Sequence, residues 1–352
     1  MEFLKNNCDF LFLFQATLTN PNGDPDQENK PRMDYETKTL LVSDARRKRD
    51  CRDFLKRKGF SIFVDTLEDQ KVPMDVMFAS IKNKTLKDRV KVEFLFSQNN
   101  ELRDLWLQIF KNDSNSYFST YDEYITKQKK DLNKDREYVK FNNLFLTELI
   151  KNELIDIRLF GSAMAIGGIT KTYTGPVQIG WGYSLHPVEI VKSNTITSIM
   201  NDDNSTFGKN YKIHYGLIAH YGVINKFSAM LTGMSEQDKD SFRKAIVQGM
   251  LNNQTCSKQG QEPLLYVEIK YKESFDGYIG DLRRFLSIEK NNPIRHISDL
   301  KVDFTLLTNV INSLKDQIEQ VTIWQNPFQK ENCIFSNMPT GESVDLLAKL
   351  ER

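Results

Sequence analysis

The spacing of apolar and polar residues changes repeatedly along this chain, and each change marks an element. Phe10-Leu11-Phe12-Leu13-Phe14 belongs to a continuous apolar run that reaches Thr17, the pattern of a central strand covered on both faces. Pro21, Gly23 and Pro25 end that strand in a loop. A helix follows, carrying Ser43 to Arg52 and closing at Gly59, which suits a left-handed C-cap. Ser61-Ile62-Phe63-Val64 then reads as a second short strand, so the chain opens as the β-α-β half of a ferredoxin-like or RRM-like sheet. From Leu67 to Asp156 helical spacing replaces alternation. Leu102, Leu105, Trp106, Ile109 and Phe110 line one face, and Leu144, Phe145, Leu149 and Ile150 line another. This stretch reads as an α-rich insertion with its own small core.

Alternation returns at Val177. Val177, Ile179, Trp181, Tyr183 and Leu185 alternate with Gln178, Gly180, Gly182, Ser184 and His186, which predicts a strand. Its glycines leave room on one face for another backbone or a ligand. A second alternating run goes from Tyr211 to Val223 after the polar interval Ser193–Asn204. The pair predicts a protruding hairpin with Ile199 and Met200 at its tip, the alternative being a plain surface loop. Ser235-Glu236-Gln237-Asp238 forms a capping box ahead of a helix bearing Phe242, Ala245, Ile246 and Met250. Leu264–Tyr271 supplies a closing strand. Phe304, Leu307, Ile311, Leu314, Ile318 and Val321 predict a C-terminal helix.

The expected fold is therefore α+β, a ferredoxin-like palm interrupted by a helical insertion. Its first half covers 1–66, the insertion 67–156, and its second half 157–300 with the hairpin at about 188–212. Residues 301–352 are a C-terminal helix and tail.

Composition narrows the class. A chain of 352 residues with 39% hydrophobic content holds about two domains, or one with a large insertion. No stretch approaches the roughly 18 apolar residues of a membrane span. The run at Phe10 lacks the basic flank of a signal peptide, so a cytoplasmic protein is expected. Cys8, Cys51, Cys256 and Cys333 show no C-x-x-C spacing and read as free thiols. Phosphate loops, dinucleotide fingerprints, zinc-binding histidine pairs and G-x-S-x-G elbows are all missing from the sequence. The four histidines, three of them in or near strands, read as structural. No cofactor or metal is expected.

Charge adds the one strong functional signal. The chain is nearly balanced, with 48 Lys+Arg against 47 Asp+Glu. Between Val42 and Lys58, however, eight basic residues face three acids, a local excess of +5. Such a block is the electrostatic footprint of phosphate binding, or else a solvated basic helix.

The residues around the block resemble a known family. The order strand, Asn20-Pro21-Asn22-Gly23-Asp24-Pro25-Asp26, Pro31-Arg32-Met33-Asp34, Val42-Ser43-Asp44, Lys48-Arg49, then Arg52 is similar to the spine subunit of type I CRISPR surveillance complexes, or Cascade. Asp156-Ile157-Arg158-Leu159-Phe160-Gly161 and Thr174-Gly175-Pro176-Val177-Gln178-Ile179-Gly180-Trp181-Gly182 agree with it in the family's order. The continuation Ser184-Leu185-His186 looks most like the type I-B branch. The matching blocks cover about a third of the chain, roughly residues 10–59 and 156–225.

The resemblance implies a non-catalytic scaffold that polymerises along CRISPR RNA, with the hairpin as thumb and the insertion as fingers. The guide would be presented to target DNA. Its partners would be further copies of itself, a handle-binding subunit, a large subunit and a processing endonuclease. RNA contact is placed on Lys48, Arg49 and Arg52, with Ser43 within reach if the backbone passes the helix start. Lys48 and Arg52 share one helix face by their spacing of four. Arg46 and Arg47 serve an adjacent subunit or solvate the helix. Arg158, Gly161, Gly175 and Gln178 occupy family-matched positions near RNA, although turn geometry accounts for the glycines nearly as well. The loop residues Asn22, Asp24 and Arg32 complete the set.

No base-reading ribonucleoprotein motif is present, which suits a protein indifferent to guide sequence. Two alternatives stay open: a free-standing RNA-binding protein that needs no oligomer, and an enzyme. Type III relatives cleave RNA with a loop aspartate, so Asp24 or Asp26 could assist a metal-dependent RNase, although Asp and Asn between prolines mainly build turns. A calcium loop fails because Pro25 occupies its glycine position.

Overall fold

The computed structural model describes residues 3–67, 70–110, 116–127, 132–166, 169–196, 208–329 and 334–351. The chain divides into two compact units. One takes Leu4–Lys58, Val177–Lys226 and Lys239–Arg352; the other takes Met1–Phe3, Gly59–Pro176 and Phe227–Asp238.

The first unit is built on a sheet. Its main strands are β1 (Cys8–Thr17), β2 (Thr39–Val42), β3 (Val177–Ile179), β4 (Gly182–Ser184), β5 (Tyr215–Ile224), β6 (Gln261–Tyr271) and β7 (Ile318–Gln325). Helix α1 (Asp44–Arg57) follows β2, α2 (Glu236–Asn252) precedes β6, and α3 (Thr305–Ser313) precedes β7. Across the sheet the order is β7-β6-β1-β5-β4-β2, antiparallel throughout, with β3 paired to the other half of β5. A short parallel edge at Glu342–Ser343 makes the sheet mixed. Taken as β6-β1-β5-β3/β4, the centre has the strand order 4-1-3-2 of a ferredoxin-like core. The α+β class expected from the sequence is the class found.

β1 is buried along all but its last residue because it is bonded on both sides. Phe10 meets Phe242 of α2 edge-on at 5.4 Å and stacks near Tyr266 at 5.8 Å. Leu11 and Leu13 point to the opposite face, where Leu217, Leu265, Val267 and Leu307 lie in one cluster. Each such side chain contributes about 1.5–3 kcal/mol on burial.

Three sequence expectations change here. Ser61–Val64 is not a strand: Ser61 makes a single bridge to Leu154, and the N–H groups of Phe63 and Val64 donate to the Asp156 carboxylate at 2.9 and 3.0 Å. The second palm strand is instead β3–β4. The C-terminal helix stops at Ser313, and Ile318–Gln325 crosses into the sheet against β6. Helical spacing ran on past the true end, but β-branched Val321, Thr322 and Ile323 favour the strand. Finally, the second alternating run is a strand only from Tyr215 onward. Ahead of it, Thr195–Ile196 pairs with Gly208–Lys209, the base of a hairpin. Its expected tip residues, Ile199 and Met200, lie outside the described residues.

The second unit is mainly helical, with helices at Met74–Lys87, Arg89–Gln98, Asn100–Phe110, Tyr117–Lys127 and Arg136–Asn152. Asp88 and Asp135 cap two of them by accepting backbone N–H groups. Leu102, Leu105, Trp106, Phe110, Phe145, Leu149 and Ile150 are buried, with Ile109 and Leu144 packed against them. Trp106 stands amid Phe96, Phe110, Tyr117 and Phe141, with ring centroids 4.3–5.8 Å away. A short helix, Ile155–Phe160, leads into the hairpin Gly161–Ile166/Ile169–Thr174.

Candidate nucleic-acid interface

α1 is amphipathic in charge as well as in hydropathy. Arg47, Asp50, Cys51, Phe54 and Leu55 turn inward, while Lys48, Arg49 and Arg52 stay on the outer sides. Arg47 is only 2% exposed; its guanidinium lies 4.9 Å from the Phe14 ring centroid and 3.0 Å from Asp50. It serves the core, rather than an adjacent subunit or the helix's solvation. The outer cations are paired along the helix: Lys48 with Asp44 at 2.9 Å, Arg49 with Asp53 at 2.6 Å, and Arg46 with Asp50. Arg46 shares the buried Asp50 with Arg47, whereas the Lys48–Asp44 and Arg49–Asp53 pairs are partly exposed and of a kind worth about 0.3–0.5 kcal/mol. A phosphate can take over such a cation at small cost.

The helix start is joined to the loop before it. Ser43 is the N-cap, its Oγ accepting from the Arg46 N–H at 3.3 Å. Asn22 Oδ1 accepts both the N–H and the hydroxyl of Ser43, at 2.9 and 2.8 Å. Asp24 accepts the Asp26 N–H at 3.2 Å and lies 3.3 Å from Arg32. Lys258, which sequence reasoning missed, donates to the carbonyls of Asn20 and Pro21 at 2.7 and 3.1 Å. Burial, reinforced by Arg46 and Arg47, lowers its pKa to about 8. Glu28 accepts from Lys209 and Tyr211 at 2.9 and 2.8 Å, which ties the loop to the hairpin base. These bonds hold the carboxyl below its usual range. The buried Asn22, whose carbonyl also accepts the Arg32 N–H at 2.9 Å, thus joins Asp24, Arg32, Ser43 and α1 into one connected set.

The strand bearing Gln178 is not continuous. Ile179 pairs with Gly222, but Tyr183 pairs with Ala219, so one extra residue is accommodated between them. This β-bulge reverses the parity of burial. Val177 and Ile179 are buried on one side of it and Gly182 and Ser184 on the other. Gln178 and Trp181 are exposed. The room left by Gly182 and Gly222 is filled from within: a Cβ at Gly182 would come within 2.6 Å of the His220 ring, and one at Gly222 within 2.3 Å of Phe10. His220 Nδ1 donates to the Gly180 carbonyl at 3.0 Å, and burial lowers the imidazole to about 3, so it is a neutral packing residue.

The Asp156–Gly161 motif belongs to the other unit and works differently. Arg158 is 7% exposed and bonds Asp238 through Nε and Nη2 at 2.9 and 2.8 Å, with Nη1 reaching the Ile150 carbonyl. The same Asp238 closes the expected capping box with Ser235. Arg158 is thereby withdrawn from the RNA-facing set, because its guanidinium is spent on a buried carboxylate. Gly161 (φ +70°) and Gly175 pack against each other's backbones. A Cβ on Gly161 would fall 2.1 Å from the Tyr173 carbonyl, and one on Gly175 2.1 Å from Phe160. The backbone they admit is their own hairpin's, the turn-geometry role weighed for them above.

Residues 6–305 match the family model described as CRISPR-associated protein Cas7. The chain belongs to the Cas7 family. It is 25% identical over 343 residues to the CRISPR-associated protein Cas7 of Haloferax volcanii, covering 90% of this chain and 86% of that one. A chain of a solved "CRISPR RNA-guided surveillance complex, pre-nicking" has the same fold, with TM-score 0.53, 13% identity and 96% of both chains covered.

Among the described residues no three His, Cys, Asp or Glu side chains are grouped to hold a metal ion. Asp24 is engaged by the turn and by Arg32. No described helix is long and apolar enough to cross a membrane.

Proposed function

We propose that the chain is a non-catalytic, CRISPR RNA-binding backbone subunit that polymerises with copies of itself along the guide in a type I Cascade complex of the I-B branch, presenting the guide for pairing with target DNA. Family membership supports the general role. The observation that carries the RNA-binding part is the joined surface of loop and helix, where Asn22 fixes the N-cap of α1 and the helix turns Lys48, Arg49 and Arg52 outward. Cations on such a helix hold a phosphate chain without reading bases, which leaves Watson–Crick edges free to pair. Arg46, Asn22, Asp24, Arg32 and Gln178 flank the same track. In this reading 67–156 act as fingers and 188–212 as thumb. A handle-binding subunit, a large subunit and a processing endonuclease complete the cytoplasmic assembly. Sizing the purified chain with and without CRISPR RNA tests it. A large, regular species that forms only with RNA is the expected result, and a chain that stays monomeric on saturating RNA overturns polymerisation.

A further inference from the structure

The bulge between β3 and β4 turns an indole outward where the strand pattern would bury it. Trp181 shares its parity with the buried Val177 and Ile179, yet it is 47% exposed. Leaving so large an apolar ring in water is unfavourable, and the fold enforces it. The Gly180 N–H donates to the Tyr221 carbonyl at 2.8 Å, and the Trp181 carbonyl accepts from Arg283 Nη1 at 2.7 Å. Arg283 is itself fixed by two bonds to Asp281, at 2.8 and 2.7 Å, and lies 4.0 Å from the Tyr183 ring centroid. On the ring, the Arg32 guanidinium stands 5.9 Å from the centroid, steadied by Asp24. The chain neighbours of Trp181 are both glycine, so no side chain beside it in sequence encloses the indole.

We infer that Trp181 is a stacking platform for one base of a single-stranded nucleic acid, with Arg32 beside it to meet the adjoining phosphate. Stacking is tolerant of sequence because every base has a π-face, and a guanidinium at the ring strengthens it. A protein-docking anchor would instead be expected amid further apolar groups; here the flank is glycine and arginine. This inference rests on the RNA-binding role proposed above. The base could come from the guide RNA or from the target strand, and the experiment separates the two.

Trp106 and Trp324, the other two tryptophans, are buried at 1% and 3% exposure, so a quencher that needs contact reports on Trp181. The full chain is titrated with CRISPR RNA while emission and RNA anisotropy are followed together, and complementary single-stranded DNA is then added. Quenching in the RNA arm assigns the base to the guide; quenching that appears only with DNA assigns it to the target strand. Trp181→Phe, which keeps a ring, should bind within about threefold of the parent. Trp181→Leu should bind about tenfold more weakly, equivalent to about 1.4 kcal/mol, with an unchanged salt slope. RNA and DNA bound normally with no quenching in either arm, and Trp181→Leu binding as tightly as the parent, would overturn the platform alone. Emission that shifts with protein concentration in the absence of nucleic acid marks a protein contact and also overturns it. Failure of the parent chain to bind RNA removes the underlying role and the platform with it.

Discussion

The loop-and-helix motif at Asn20–Arg52 and the Asp156–Gly161 motif share their chemistry as sequence: both combine acidic residues, arginine and glycine. The molecule uses them in opposite directions. In the first, Asn22 and Ser43 lock the backbone while Lys48 and Arg49 stay in partly exposed pairs that a ligand can exchange. In the second, Asp156 ties down Phe63 and Val64, Arg158 is bound to Asp238, and Gly161 admits its own hairpin partner. A motif's residue types therefore do not say whether it faces a ligand or the interior. Burial of the charged group decides.

The sharpest way to break this contrast is to remove the interior arginine. Arg158→Ala leaves the Asp238 carboxylate buried with its main cation gone, which should cost about 3–5 kcal/mol. Urea unfolding measures it, and the double change Arg158→Met with Asp238→Leu should recover most of the loss. If Arg158→Ala instead left stability intact and weakened RNA binding, Arg158 would return to the interface.

Gly161 should show a smaller effect of the same kind. Its φ of +70° with ψ of 178° is open essentially to glycine alone, and a Cβ there meets the Tyr173 carbonyl. Gly161→Ala should cost about 2–3 kcal/mol. Gly59 offers the control: its φ is +88°, but an added Cβ meets nothing within 4 Å, so Gly59→Ala should cost about 1 kcal/mol. Equal losses in thermal melts at both glycines would mean that backbone conformation, not close approach, sets the requirement.

The outward motif should respond in binding rather than in folding. Lys48→Ala, Arg49→Ala and Arg52→Ala together should flatten the log–log salt dependence of RNA affinity by about 2, at roughly 0.7 per phosphate on a single strand. Stability should move by about 1 kcal/mol, because the helix pairs of Lys48 and Arg49 are partly exposed. Affinities for unrelated spacers should agree within about tenfold. A salt slope unchanged by the triple substitution would place the phosphates elsewhere.

Much of this was legible before any coordinates. β1 announced itself by five consecutive large apolar residues, and Ser235–Asp238 by its spacing. The misreadings share a physical cause, which is that period alone cannot see a partner. Leu314, Ile318 and Val321 keep helical spacing across a chain that has already turned into β7. Ser61–Val64 has strand composition, but its amides are claimed by Asp156, far away in sequence. The strict alternation through Trp181 concealed a bulge, because one inserted residue flips every later side chain while the pattern reads on unbroken. In the candidate interface, Lys258 and Arg283 had no local signal; only the fold brings them to the loop and to Trp181.

The smallest effect separates turn-building from chemistry in the outward motif itself. Asp24 accepts one backbone N–H at the start of a short 3-10 turn and holds Arg32 at 3.3 Å, both at a partly exposed site. A cap of this kind is worth about 0.5–1 kcal/mol and the ion pair less. Asp24→Ala with Asp26→Ala should therefore lower stability by about 1 kcal/mol and change RNA affinity by no more than about threefold. Labelled RNA incubated with magnesium or manganese should remain intact with both the parent chain and the double variant. The decisive comparison is between those two proteins, since a contaminating nuclease would cleave with both. Cleavage by the parent that disappears in the variant would make Asp24 or Asp26 a catalytic ligand, and the loop would then be a site whose turn geometry serves the metal rather than the fold.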